Sequence, residues 1–311
     1  MTLAILCSGQ GPQHPNMFAL TGDAPEAANL FVHAAALLDG RDPRLIVRTD
    51  PKAAIHQDRT GQILCTLQAL AAAAALHDAW PHRRIIAGYS VGEVAAWSVA
   101  GLTDATTTLD LVSRRAEAMD AASRPGDGLL FVRGLSRDAV EDLCKCHDAA
   151  IAIINPDDAY VLGGPGKALD IIADQATKMG AAHVIRVAVN IASHTERLAA
   201  ASLEFRKILG QIPMKHAPDA SARLFSGIDG LVVADIAAGR DKLAQQISHT
   251  VQWAACLEGC AEAGASAFLE LGPGRALSEM AASSYRDIPA RSLDEFRTLQ
   301  GARAWLDSVV R

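Results

Sequence analysis

Apolar residues fall along this chain in two rhythms: brief runs, and longer segments with helical spacing. Glycine and proline separate them. Leu3-Ala4-Ile5-Leu6-Cys7 is too short for a helix and leads into Gly9-Gln10-Gly11-Pro12, which predicts a strand entering a loop. Ile63 to Trp80 is the longest apolar stretch, but Gln68, His77 and Asp78 interrupt it. A buried helix over 60–79 is therefore expected, rather than a membrane span. Ile85-Ile86-Ala87-Gly88 predicts a strand with a glycine turn. Val91 to Gly101 then predicts a helix closing at the glycine, and Asp104 caps the next helix, which runs through Met119.

The texture changes after Pro125-Gly126. Strands are expected at 129–134, 150–154, 159–163 and 183–189, with helices at 136–145 and 167–180. The order β-α-β-β-α-β is that of a ferredoxin-like unit. The chain returns with a helix from Ser193 to Leu209, and Phe268 to Gly274 predicts a strand entering a Gly-Pro-Gly turn. The expected class is α/β. A large, α/β-hydrolase-like subdomain with a mostly parallel sheet takes residues 1–124 and 191–311, and a small ferredoxin-like subdomain is inserted at 125–190.

Composition narrows the function classes. Half of the 311 residues are hydrophobic, enough for a substantial core. The formal charge of −6 argues against bulk nucleic-acid binding, which needs a concentrated basic face. Met1 to Gln13 lacks a basic leader region and reads as a strand rather than a signal peptide. No repeat or linker is visible, and a cytoplasmic protein away from membranes is expected. The six cysteines form no CxxC pair; Cys144-Lys145-Cys146-His147 lacks a second ligand cluster, so free thiols and no metal are expected.

Candidate chemistry centres on Gly88-Tyr89-Ser90-Val91-Gly92. Gly-x-Ser-x-Gly between a strand and a helix makes a nucleophile elbow, in which a sharp bend lifts the serine Oγ into the open at a helix N-terminus. The hydroxyl needs a base. His194, at a strand-to-helix junction, is the first candidate and His249 the second. Asp229, Asp235 or Asp241 could be forced into a hydrolase-like order with His249, but nothing distinctive surrounds them. Arg114 has Asp110 and Glu117 at helical spacing and belongs to a charged face. Arg115 follows Leu111 and precedes Ala118 and Met119, so it points to the buried side. A buried arginine needs an anionic partner: either an internal carboxylate or the carboxylate of a substrate.

With these residues in place, the chain resembles malonyl-CoA:acyl carrier protein transacylases, which share a fold with the acyltransferase domains of polyketide and fatty acid synthases. The resemblance covers nearly the whole chain. Gly9-Gln10-Gly11-Pro12-Gln13 matches the family's GQGxQ, and Gly88 to Glu93 matches GHSxGE. Arg115 to Met119 matches RxxxM, Ser193-His194 the SH before a helix, and Asn155 the asparagine of the small subdomain. Val251-Gln252-Trp253 and Gly272-Pro273-Gly274-Arg275-Ala276-Leu277 match VQW and GPGxxL. The resemblance implies that Ser90 is acylated, that His194 is the base, and that the N–H groups of Gln10 and Val91 form an oxyanion hole. It implies that Arg115 pairs with the free malonyl carboxylate, with Met119, Asn155 and Ser193 also binding substrate. Gln252 would orient His194 through its backbone carbonyl, replacing an acidic third member. No permanently bound cofactor is implied; malonyl-CoA is the donor and the phosphopantetheine-type thiol of an acyl carrier protein the acceptor.

One departure stands out. Tyr89 occupies a position where most of the family has histidine, and a phenol cannot replace that imidazole as a base at neutral pH. Ile5 to His14, Met17 to Thr21 and Gly88 to Glu93 together resemble the acyltransferase subunit of biotin-independent malonate decarboxylase, which charges a small carrier subunit. The other readings are a fatty-acid or polyketide transacylase, a serine hydrolase using His249, and a non-catalytic carrier-docking subunit. Arg83, Arg84, Lys145, Lys178 and Arg186 are candidates for a basic patch that meets an acidic carrier.

Overall fold

The computed structural model describes residues 1–219 and 221–310. It has two five-stranded sheets. The strands are β1 (Thr2–Cys7), β2 (Arg83–Gly88), β3 (Asp127–Arg133), β4 (Ala150–Asn155), β5 (Ala159–Pro165), β6 (His183–Val187), β7 (Ala222–Leu224), β8 (Val251–Gln252), β9 (Ala267–Glu270) and β10 (Ala290–Ser292). The first sheet has the order β10-β9-β1-β2-β7 and is parallel throughout. Its central strand β1 is apolar at every position from Leu3 to Cys7, all fully buried, because helices cover both faces of a parallel sheet. Cys7 pairs with Gly88 and Leu6 with Glu270, so the loops after β1, β2 and β9 leave the sheet side by side. Their convergence at the carboxyl ends of parallel strands is where α/β folds place ligands.

The second sheet has the order β6-β3-β5-β4-β8. Its first four strands are antiparallel and follow the ferredoxin-like order. The fifth, β8, comes from outside the 125–190 segment and runs parallel to β4, with Ile154 opposite Gln252. Alternation along β3 divides its two faces. Leu130 and Val132 pack under the helices Arg137–Cys146 and Gly166–Lys178 in a core of their own, while Leu129 and Phe131 face a cavity shared with the first sheet.

Several element ends differ from expectation. The helix Asp58–Leu76 tightens into a 3-10 turn at His77–Ala79. The helix expected from Ser193 begins only with a 3-10 turn at Glu196–Leu198 and continues as Ala199–Gln211, because His194 takes a φ of 62° that no helix allows. The strand expected at 268–274 stops at Glu270, since Gly272 and Gly274 have φ of 82° and 80°. The helices Ala28–Leu37 and Pro43–Thr49 were not anticipated, and β7, β8 and β10 are too short to show a periodic pattern. No helix among the described residues is long and apolar enough to cross a membrane.

Candidate active site

The turn after β2 is built as its glycines require. Ser90 has φ 55° and ψ −120°, a region side chains other than glycine rarely occupy. A Cβ at Gly88 would lie 2.2 Å from the Gly92 carbonyl, and one at Gly92 would lie 2.1 Å from the Cys7 oxygen. Both positions therefore exclude any side chain, and the close approach holds Ser90 at the start of the helix Val91–Val99. The Gly92 and Glu93 amides are used within the turn, by the carbonyls of Tyr89 and Ser90. Among the described residues the Val91 and Gln10 amides have no such partner. Both residues adjoin Ser90, Val91 as its chain neighbour and Gln10 across the cavity, where an oxyanion would gather charge.

Ser90 Oγ lies 2.8 Å from His194 Nε2. His194 Nδ1 faces the Gln246 carbonyl at 2.5 Å, and its own backbone N–H donates to the Ile247 carbonyl. A carbonyl only accepts, so Nδ1 carries the proton and Nε2 is free to accept from Ser90. The expected orienting carbonyl of Gln252 is corrected here: Gln252 sits in β8, paired to β4, and the carbonyl that meets the ring belongs to Gln246. Burial, aided by the nearby charge of Arg115, pushes the His194 imidazole down to about 3, against the milder upward pull of the Gln246 carbonyl. The resting base is thus neutral. As pH falls, an unfolded histidine takes a proton near 6.5 while the folded one does not. This group's contribution to stability is present above that pH and is lost progressively towards the folded value. Ser90 acylation should accordingly show no inflection near pH 6.5; a single-turnover pH profile with its midpoint there would contradict a buried neutral base.

Arg115 is fully buried and makes no ion pair among the described residues. Its guanidinium donates to Gln62 Oε1 at 2.6 Å and to Gln246 Oε1 at 3.4 Å, and its Nε has no partner. Each glutamine passes the contact on. Gln62 Nε2 donates to Asp58 at 2.8 Å, and Gln246 Nε2 donates to Glu93 at 2.5 Å and to the Ser90 carbonyl at 3.2 Å. Burial pushes Asp58 up to about 6 and Glu93 up to about 7, while the same burial brings Arg115 down to about 10. Two amide relays thus hold the cation one side chain from the serine without neutralising it directly. Met119 belongs to this buried layer, its sulfur 3.4 Å from Gln62 Nε2.

A cavity of about 560 Å³ opens over Ser90 and His194 between the two sheets. Gln10, Asn155 and Ser193 line it, and Asn155 Oδ1 is buried there without a partner among the described residues. Most of its remaining wall is apolar, including Leu129, Phe131, Val161, Val187 and Leu277. Tyr89 packs edge-on against Trp253 with ring centroids 5.3 Å apart, and burial pushes its phenol above the usual range, so it does not titrate near neutrality. Glu270 is a wall residue the sequence did not reveal. It accepts from Ser8 Oγ at 2.7 Å and from the Ser278 amide at 2.8 Å, tying the loop after β1 to the end of β9.

This geometry is that of an acyl-transfer site, and relatives agree. Residues 5–295 match the family described as acyl transferase domain. The chain belongs to that family. It is an acyltransferase. It is 29% identical over 290 residues to a polyketide synthase of Streptomyces halstedii, covering 90% of this chain but only 5% of that protein. It is 25% identical over 315 residues to the malonyl CoA-acyl carrier protein transacylase of Haemophilus influenzae, covering 97% and 98% of the two chains. The crystal structure of an acyl-carrier-protein S-malonyltransferase from Burkholderia pseudomallei superposes with a TM-score of 0.88 at 25% identity, over 98% of this chain and all (100%) of that one.

The rival arrangements do not assemble. His249 is exposed and turns to the Gln245 carbonyl. Asp229 pairs with Lys242, Asp235 caps its helix through the Ala238 amide, and Asp241 pairs with Arg206. The cysteines are free, and no group of three or more metal-ligating side chains gathers among the described residues. The five basic residues do not form one patch. Arg83 and Arg84 open β2 at the end remote from Ser90, Lys145 pairs with Glu141 and Asp142, Lys178 ends the helix Gly166–Lys178, and Arg186 lies on β6 near Asp170.

Proposed function

We infer that the protein moves malonyl from malonyl-CoA to the thiol of an acyl carrier protein through an ester on Ser90. The observation that carries this reading is Arg115: a buried guanidinium, unpaired at Nε, held one glutamine away from the nucleophile. A malonyl group on Ser90 would bring a carboxylate to that charge, which a neutral acyl group would leave unpaired. In the first half-reaction His194 takes the Ser90 proton as Oγ attacks the thioester, and the oxyanion rests on the N–H groups of Gln10 and Val91. The proton then passes to the departing thiolate of CoA. In the second half-reaction His194 deprotonates the carrier thiol, which attacks the ester and frees Ser90. The apolar wall around Ser90 supports transfer over hydrolysis by limiting water.

The finer reading is that the acceptor is the carrier subunit of malonate decarboxylase, and Tyr89 supports it. Intact-mass spectrometry after incubation with malonyl-CoA is expected to show one malonyl adduct, lost in Ser90→Ala. Absence of the adduct in the unaltered protein would remove the malonyl reading. Transfer from the charged enzyme to the decarboxylase carrier should then outpace transfer to a fatty-acid carrier. Preference for the fatty-acid carrier would remove only the finer assignment.

A further inference from the structure

A second cavity, of about 320 Å³, lies at the opposite end of the parallel sheet, where β1, β2 and β7 begin. Its polar lining is Thr2, His82, Arg83, Arg84, Ser221 and Arg223. The six-residue strand β2 separates it from the serine turn, a span of roughly 20 Å at ~3.3 Å per residue. Three arginines, Arg83, Arg84 and Arg223, thus line one cavity in a chain whose formal charge is −6. No carboxylate lines the cavity, and none of the three arginines forms an ion pair among the described residues. Elsewhere the chain pairs its arginines freely, as Arg44 with Asp42 and Arg197 with Asp127 show.

The parallel register places Arg84 opposite Ala222 and Ile85 opposite Arg223, so alternation along the strands puts Arg83, Ser221 and Arg223 on one face, and Arg84 leaves from the other. Arg84 is also fixed in place. Its guanidinium lies 5.7 Å from the Trp80 ring centroid, and Nη1 donates to the Pro81 carbonyl at 3.3 Å. Its Nε is buried and has no acceptor among the described residues. Like charges brought together around a concavity repel one another, and an anion relieves that repulsion. Planar guanidinium forks match phosphate oxygens, and the hydroxyls of Thr2 and Ser221 add neutral donors.

We propose that this cavity binds a small molecule through a phosphate or linked diphosphate group, independently of the acyl-transfer cleft. The probe is inorganic pyrophosphate, titrated calorimetrically into the full-length protein at low and moderate salt. One site is expected, weakening as salt rises. Arg83 and Arg223 are exposed, so Arg83→Gln/Arg223→Gln should keep the unliganded Tm and the transfer rate while weakening pyrophosphate at least about tenfold, or ~1.4 kcal/mol. Arg84→Gln, whose side chain leaves the other face and is held by Trp80 and the Pro81 carbonyl, should weaken it less than the double variant does. No binding to the unaltered protein, or equal affinity in the double variant, would overturn the proposal. So would competition by malonyl-pantetheine, a donor fragment without phosphate, which would place pyrophosphate in the acyl-transfer cleft.

Discussion

His194→Ala is expected to slow acylation of Ser90 by about 10²- to 10⁴-fold, the range spanned by a positioned general base. The size follows from how completely this one ring serves the serine. Nε2 is 2.8 Å from Oγ, and the alternative imidazole, His249, is exposed and bonded to another carbonyl. Removal also strips the Gln246 carbonyl of its partner. That loss costs about 1–3 kcal/mol of stability if water does not replace the ring, so folding is checked by the thermal midpoint. Single-turnover formation of the acyl enzyme is the direct readout, with His249→Ala as the control that should retain full rate. Full activity in His194→Ala would refute its role as base.

The sequence made parts of this site legible and hid others, for physical reasons. Gly88 and Gly92 announced the turn because no side chain fits at either position, and that close approach follows from the bend itself. Arg115 was readable because helix periodicity alone places it on the buried side. The charge relay was not readable. Gln62, Arg115 and Gln246 meet across separations of 53 and 131 residues, and nothing local marks either glutamine. The assignment of Gln252 failed for a related reason. A carbonyl that orients a base leaves no trace in residue type, so the resemblance, carried by the Val251-Gln252-Trp253 match, put the role six positions too far along the chain. The ferredoxin-like strand order was legible from alternation and turns, whereas its fifth strand, two residues long, carries no periodic signal at all.

Arg115→Ala should reduce the preference for malonyl over acetyl donors by roughly 10²- to 10⁴-fold, from the ~3–5 kcal/mol that breaking a buried charge pair typically costs. The prediction concerns selectivity because Arg115 touches neither Ser90 Oγ nor His194; its reach to the nucleophile runs through Gln246. Acetyl transfer should therefore survive, and could rise, since a neutral acyl group no longer leaves a buried cation unmatched. The two carboxyls behind the relay make the variant tolerable. Burial already holds Asp58 and Glu93 well above the usual carboxylate range, so loss of the arginine lets them protonate instead of stranding two charges. Arg115→Lys separates charge from geometry. A lysine keeps the cation but cannot hold both glutamines and a carboxylate in one plane, so its selectivity should fall between those of the other two proteins. Measured kcat/KM values for both donors across the three proteins decide the matter: an unchanged ratio in Arg115→Ala removes the carboxylate clamp, whereas a graded loss assigns the discrimination to the guanidinium fork.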